Sequence, residues 1–205
     1  GWGFDARRRK TWTTFGPQYT DKLKEMLLVP NILSSDDTPL LNTHTGIFSP
    51  GTFIISNHAD ELTPWTPLLA YLSNSPFIAI PCCSHDLGGT RFRAPVHKKY
   101  VTEDPNAMSK EKHKQPSAYA GLCSWVSHLT ESVGYKVEKE HLRIPSTRNI
   151  AILGRGEVGE GGEEERIRVA KEVVEKEIGG MGVEQVRAMW MRSGGELVKP
   201  GKGGH

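Results

Sequence analysis

An open α/β sheet is the architecture this sequence predicts, and three observations carry that expectation. Short apolar runs at 52–56 (TFIIS) and 77–81 (FIAIP) alternate with stretches of helical spacing at 64–72 and 116–133. Polar residues collect immediately after each run, at 57–61 and at 82–86, where open α/β sheets bind ligands, beyond the carboxyl ends of their strands. Two further strand-like segments, 135–142 and 149–153, follow one another with no helix between them and predict an antiparallel pair at one edge.

Taken in order, residues 1–5 read as a strand ending in Asp5, and 6–11 have the polarity of a helix start. Asp21 to Leu28 is built from helix formers, 28–33 is a weak strand broken by Pro30, and 34–50 is a loop by composition. The run at 52–56 has the composition of a strand buried on both faces, and the run at 77–81 repeats it. Residues 87–115 are irregular, and 116–133 places Tyr119, Leu122, Cys123, Trp125, Val126 and Leu129 on one helix face. After the strand pair, 157–163 is a Gly/Glu-rich linker, 164–178 an amphipathic helix and 194–205 a disordered tail. The expected organisation is a catalytic domain at 1–155, linker and helices at 156–193, and the tail.

Composition narrows the function classes. At 205 residues the chain can bury roughly 70% of the surface its unfolded form exposes, as one domain. With 37% apolar and 24% charged residues and a mean hydropathy of -0.45, it reads as globular and polar. A net charge of +2 is too balanced to indicate a nucleic-acid partner, so any basic surface is local. Three cysteines, two of them adjacent, describe no disulfide framework and predict a reducing, cytoplasmic setting. No apolar run reaches the roughly 20 residues of a membrane-spanning helix. Gly1 is not a start methionine, which predicts that the chain begins inside a fold.

The segment Asn57-His58-Ala59-Asp60-Glu61 puts an amide, an imidazole and two carboxylates on the turn leaving a strand. Such groups are costly there unless they satisfy one another or a ligand. His58, Asp60 and Glu61 are the candidate catalytic residues, able to take a proton from an attacking hydroxyl or orient it. The alternatives are that Asp60 caps the helix starting at Pro64 and that His58 is a core histidine. Cys82, Cys83 and His85 hold the matching position after the next strand. Zinc is a possible ligand by residue type, but side chains of adjacent strand residues point to opposite faces, so the expectation is no metal. A nucleophilic cysteine with His85 as its base is a further alternative, and the default reading is that Cys82, Cys83 and His85 are substrate-binding residues in a pocket wall beside the active site. Asp5 either accepts bonds from the ribose of a bound nucleotide or caps the helix beside Arg7 and Arg8. Basic groups at Arg7, Arg8, Lys98, Lys99, Arg143 and Arg148 are candidates for holding phosphates. Gly154-Arg155-Gly156 is no phosphate loop, because no Lys-Ser/Thr follows it.

Taken together, GWGFDARRRKTW at 1–12, FIISNHADELTPW at 53–65, PCC at 81–83 with His85-Asp86, and VEKEHLRIPSTRN at 137–149 closely resemble the eukaryotic tRNA (uracil-2'-O-)-methyltransferase family. The resemblance runs in order from Gly1 to about Arg155. It implies a Rossmann-like fold dependent on S-adenosyl-L-methionine, with an antiparallel pair at one edge. The implied acceptor is the ribose 2'-hydroxyl of uridine 44 in serine tRNA. By position, Asp5, Asn57 and His58 would border the cofactor, and Asp60 and Glu61 the acceptor hydroxyl. The family's first strand and glycine-rich cofactor loop are absent, and the resemblance places them upstream. A non-catalytic RNA-binding remnant and a Cys/His zinc enzyme are the competing readings.

Overall fold

The computed structural model describes residues 2–3, 24–25, 27–30, 32, 43–49, 51–101, 116–156 and 161–198. Asp5, Arg7 and Arg8 lie outside the described residues.

Four short strands come first. β1 (Trp2–Gly3) pairs parallel with β2 (Lys24–Glu25), and β3 (Leu27–Leu28) pairs parallel with β4 (Thr43–His44). This corrects two expectations: the helix over 21–28 gives way to extended pairing at 24–25 and 27–28, and the loop at 34–50 contains a strand. Helix propensity is a weak prior, and here tertiary pairing overrides it, with Leu28 buried in the core.

The main sheet is formed by β5 (Ile54–Asn57), β6 (Phe77–Ile80), β7 (Lys136–His141) and β8 (Ile150–Arg155), in spatial order β5-β6-β8-β7. β5 and β6 run parallel, while β8 is antiparallel to both β6 and β7, so the expected α/β class and the antiparallel edge pair are both present. α1 (Trp65–Leu72) follows a 3-10 turn at Asp60–Leu62 and is buried at all eight positions. Pro64 and Pro67 fall at its N-terminal end, where a missing N–H costs no internal bond. α2 (Ala118–Ser132) starts from Ser117, whose Oγ accepts from Ala120 N at 3.1 Å. Gly154 allows the edge-to-face Phe77–Tyr135 pair to lie over β8, since a Cβ there would fall 2.3 Å from Phe77 Cε1.

β5 departs from the sequence expectation. Ile55 is 69% exposed and Phe53 51%, and among the described residues β5 pairs only with β6. Its composition indicates that a face is to be covered, and the described residues leave that face open.

α3 (Glu163–Glu177) and α4 (Val183–Val198) close the molecule, with Ala170, Val173, Val174, Val186 and Trp190 in the same core as α1 and α2. The expected tail beginning at Gly194 is helical through Val198. Two glycines cost about 2 kcal/mol there relative to alanine, but extending a helix already anchored by Val186 and Trp190 avoids the nucleation step. Among the described residues no helix is long and apolar enough to cross a membrane.

At the C-terminus of α3, Glu177 accepts from Trp125 Nε1 at 2.6 Å and lies 3.2 Å from His128 Nε2, and His128 stacks on His97 at 3.9 Å. Burial, and secondarily the His128 ring, hold His97 below the usual histidine value, although Glu177 opposes this. The unfolded chain therefore takes that proton first, so the contribution is complete above the unfolded value and is lost as pH falls below it. The urea midpoint is expected to drop between about pH 7.5 and pH 5, and His97→Gln is expected to shrink that drop. An unchanged drop in the variant would remove His97 as its source.

Candidate active site

Strand direction sets the site. The carboxyl ends of β5 and β6 lie side by side, since Asn57 pairs with Ile80 and His58 N donates to Ile80 O at 3.1 Å. Antiparallel register then places the start of β8, the end of β7 and the turn carrying Arg143 and Arg148 at that same end, because Ala79 faces Ile152 and His141 faces Ile150. Three of the resembling segments thus meet at one end of the sheet.

The backbone leaving β5 is unusual. His58 and Asp60 both have positive φ, 51° and 44°, a conformation that costs non-glycine residues roughly 1–3 kcal/mol and clusters at functional sites. It turns the Asp60 carboxylate toward the neighbouring loop, where Cys82 Sγ donates to Asp60 Oδ1 at 3.0 Å. Cys83 also reaches this carboxylate, and one ligand atom from each of Asp60, Cys82 and Cys83 lies within 4.8 Å of the others. The expectation that adjacent thiols point apart is corrected: β6 ends at Ile80, so the two cysteines lie in a turn where strand alternation does not hold. The helix-cap reading of Asp60 is corrected too, because α1 is capped by Pro64 without any side-chain bond.

Burial first, and Asp60 second, push the Cys82 thiol up to about 12 and raise Cys83 as well. Both thiols are therefore neutral at physiological pH, which argues against a nucleophilic cysteine in the metal-free chain. His85 is 4% exposed, and its Nε2 lies 3.7 Å from Glu61 Oε1. The core-histidine alternative fails for His58, which is exposed together with Asn57.

The basic candidates separate. Arg148 lies 4.5 Å over the Tyr119 ring at the start of α2, and Tyr119 Oη accepts from Ile150 N, so this arginine borders the site end. Arg143 is exposed on the same turn. Lys98 and Lys99 belong to a 3-10 turn at the other end of α2, where Lys99 Nζ pairs with Glu131 at 2.5 Å. α2 spans about 20 Å from end to end, which separates these lysines from the site.

Two supporting residues carry more than their types suggested. Trp65, fully buried, donates from Nε1 to Leu87 O at 3.0 Å and meets Trp190 edge-to-face at 5.8 Å, tying the 57–65 segment to the 82–87 turn. Asp86 Oδ1 accepts from Gly88 N at 2.9 Å and Thr90 N at 2.8 Å, which fixes that turn. An Asp followed two residues on by Gly-Gly is the signal from which the Asp86 turn was readable.

These segments are shared with known proteins. Over 174 aligned residues, 78% of this chain is 48% identical to a tRNA (uracil-O(2)-)-methyltransferase of Neurospora crassa. Proteins of the same name from Schizosaccharomyces pombe and Saccharomyces cerevisiae are 40% and 38% identical over 76% and 75% of the chain. The chain belongs to the tRNA (uracil-O(2)-)-methyltransferase family. It spans about a third of the length of these relatives, 32% to 33%. No protein-family model and no solved structure matches it. In this methyltransferase family member, the segments at 57–65 and 81–86 form the paired loops around Asp60.

Proposed function

We propose that this chain is part of an enzyme that transfers the methyl group of S-adenosyl-L-methionine to the 2'-hydroxyl of a uridine in tRNA, in the cytoplasm, with uridine 44 of serine tRNA as the acceptor. The observation that carries this reading is the convergence of Asp60, Glu61, Cys82, Cys83 and His85 at the carboxyl ends of two adjacent parallel strands. In-line transfer from a sulfonium requires the acceptor hydroxyl to lose its proton as it attacks, and the Asp60 carboxylate serves as the base. Glu61, facing His85, orients the acceptor. Asp5, Asn57 and His58 border the cofactor, while Arg143, Arg148, Arg7 and Arg8 hold RNA phosphates. Lys98 and Lys99, about one helix length from the site, hold phosphates farther along the RNA.

The reading also requires a cofactor-binding half. The edge and exposed face of β5, unpaired among the described residues, support a strand from another part of the same protein pairing there, followed by the glycine-rich loop that cradles the cofactor. By itself the 205-residue chain is expected to bind S-adenosyl-L-methionine weaker than about micromolar in calorimetric titration, since a site without the glycine-rich loop that approaches the cofactor loses most of its contacts. Micromolar binding by this chain would contradict the requirement. The reaction itself is tested by labelled methyl transfer to serine tRNA by the longer protein. Label at the uridine ribose is expected, and absence of label from a protein that binds the cofactor overturns the reading.

A further inference from the structure

We propose that Cys82, Cys83 and Asp60 form a zinc-binding site with three protein ligands and a fourth position open to solvent. The inference rests on the placement of the loops around Asp60 in the reading above and adds a metal to that site, with one Asp60 oxygen as ligand and the other left to take the acceptor proton.

Donor geometry is the first argument. Thiolates and a carboxylate around tetrahedral zinc, bonded at about 2.3 and 2.0 Å, stand roughly 3.5–3.8 Å apart. In the chain, one donor atom from each residue already lies within 4.8 Å of the other two, and the Cys82 Sγ to Asp60 Oδ1 separation is 3.0 Å. The separations in the chain therefore bracket those of a tetrahedral site, and side-chain rotation closes the remaining difference. The three residues come from two turns beyond neighbouring strands, so the sheet fixes their spacing.

Donor chemistry is the second. Two thiols exclude magnesium and calcium, which take oxygen ligands, and select zinc among the common divalent ions. Binding releases two thiol protons to water and leaves Zn(II) on two thiolates and a carboxylate, with no redox change. Three protein ligands are the number found in zinc sites that keep an exchangeable fourth position.

A third observation comes from His85 on the same turn. It is 4% exposed, yet its Nδ1 has no hydrogen-bond partner among the described residues. Buried polar atoms are rarely left so, and a polar ligand at this end of the sheet would satisfy it.

Cobalt(II) is the probe. The chelator-treated protein is titrated with cobalt, and one equivalent is expected to produce a near-ultraviolet thiolate-to-cobalt charge-transfer band with tetrahedral visible bands, displaced by equimolar zinc and unaffected by excess magnesium. Cys82→Ser and Cys83→Ser are each expected to abolish the band, and Asp60→Asn to weaken binding at least tenfold. The wild-type titration is decisive whether or not a serine variant folds, and circular dichroism of each variant identifies those that do. Absence of the band at one equivalent, or its survival in a folded Cys82→Ser/Cys83→Ser variant, overturns the site. Cobalt binding without methyl transfer would leave the metal site standing and remove the methyltransferase reading, and methyl transfer by a protein without the band would do the reverse.

Discussion

Asp60→Asn is expected to lower the rate of methyl transfer by about 10²–10⁴-fold in the longer protein, with cofactor affinity unchanged, because a general base contributes rate of that order. Asparagine keeps the shape of the side chain and an oxygen that can accept from Cys82, so the 3.0 Å contact can survive while the charge and basicity are lost. The backbone argument points the same way. Asp60 sits at φ 44°, and the following turn is closed by Thr63 N donating to Asp60 O at 3.1 Å. Asparagine is among the few residues that tolerate this region, so the variant is expected to melt within a few degrees of wild type. Single-turnover kinetics with a parallel cofactor titration check the split between kcat and binding. A rate within threefold of wild type would show that Asp60 supports the loop and does not act on the acceptor, and Glu61→Gln would then be the variant to measure.

The elements that were legible in the sequence share a property: their own residues, locally, determine them. β6, β7, β8, α1 and α2 begin and end within two residues of the expected bounds because apolar runs and helical spacing report which faces of these segments meet the core. What was not legible depended on segments far away in sequence. Residues 24–25 and 27–28 have helix-forming side chains but pair with partners that local reading does not supply, Thr43–His44 in the case of Leu27–Leu28. Phe53 to Ile55 has the composition of a doubly covered strand, which shows that a cover is needed without showing which segment provides it.

The candidate site divides in the same way. Its loops were readable as polar clusters after apolar runs, but the meeting of Cys82, Cys83 and Asp60 was not. Strand alternation, the rule applied to the cysteines, stops one residue before Pro81, and the positive φ of Asp60 has no compositional signature. Lys98 and Lys99 illustrate the converse, residues whose charge was legible and whose place was not. Their charge was evident, but the segment from Ala94 to Tyr100 runs along α2 away from the site, past Gly121, where a Cβ would lie 3.1 Å from Ala94 O. Charge in a sequence indicates solvation, and only the path of the chain indicates what the charge faces.

Trp65→Ala is expected to destabilise the chain by about 3–5 kcal/mol, the range for removing a buried tryptophan from a packed core. Trp65 is fully buried, and its indole is held between Trp190 on one side and the Leu87 carbonyl at 3.0 Å. Truncation leaves a cavity among α1, α4 and the 82–87 turn, and it also strands the Leu87 carbonyl without its donor. Trp65→Phe separates these effects, since it keeps most of the packing and loses only the N–H, for an expected cost of about 1–3 kcal/mol. The two variants should also differ at the site. The indole N–H is a buried tie between the segment carrying Asp60 and the turn carrying Cys82, so its loss is expected to loosen the cysteine loop even where packing is preserved. Urea denaturation reads the stability, and alkylation rates of Cys82 and Cys83 in chelator-treated native protein read the loop, with faster modification expected in Trp65→Phe. A loss below about 1 kcal/mol for Trp65→Ala would mean that the core collapses onto the cavity and that the tryptophan does not anchor the loop.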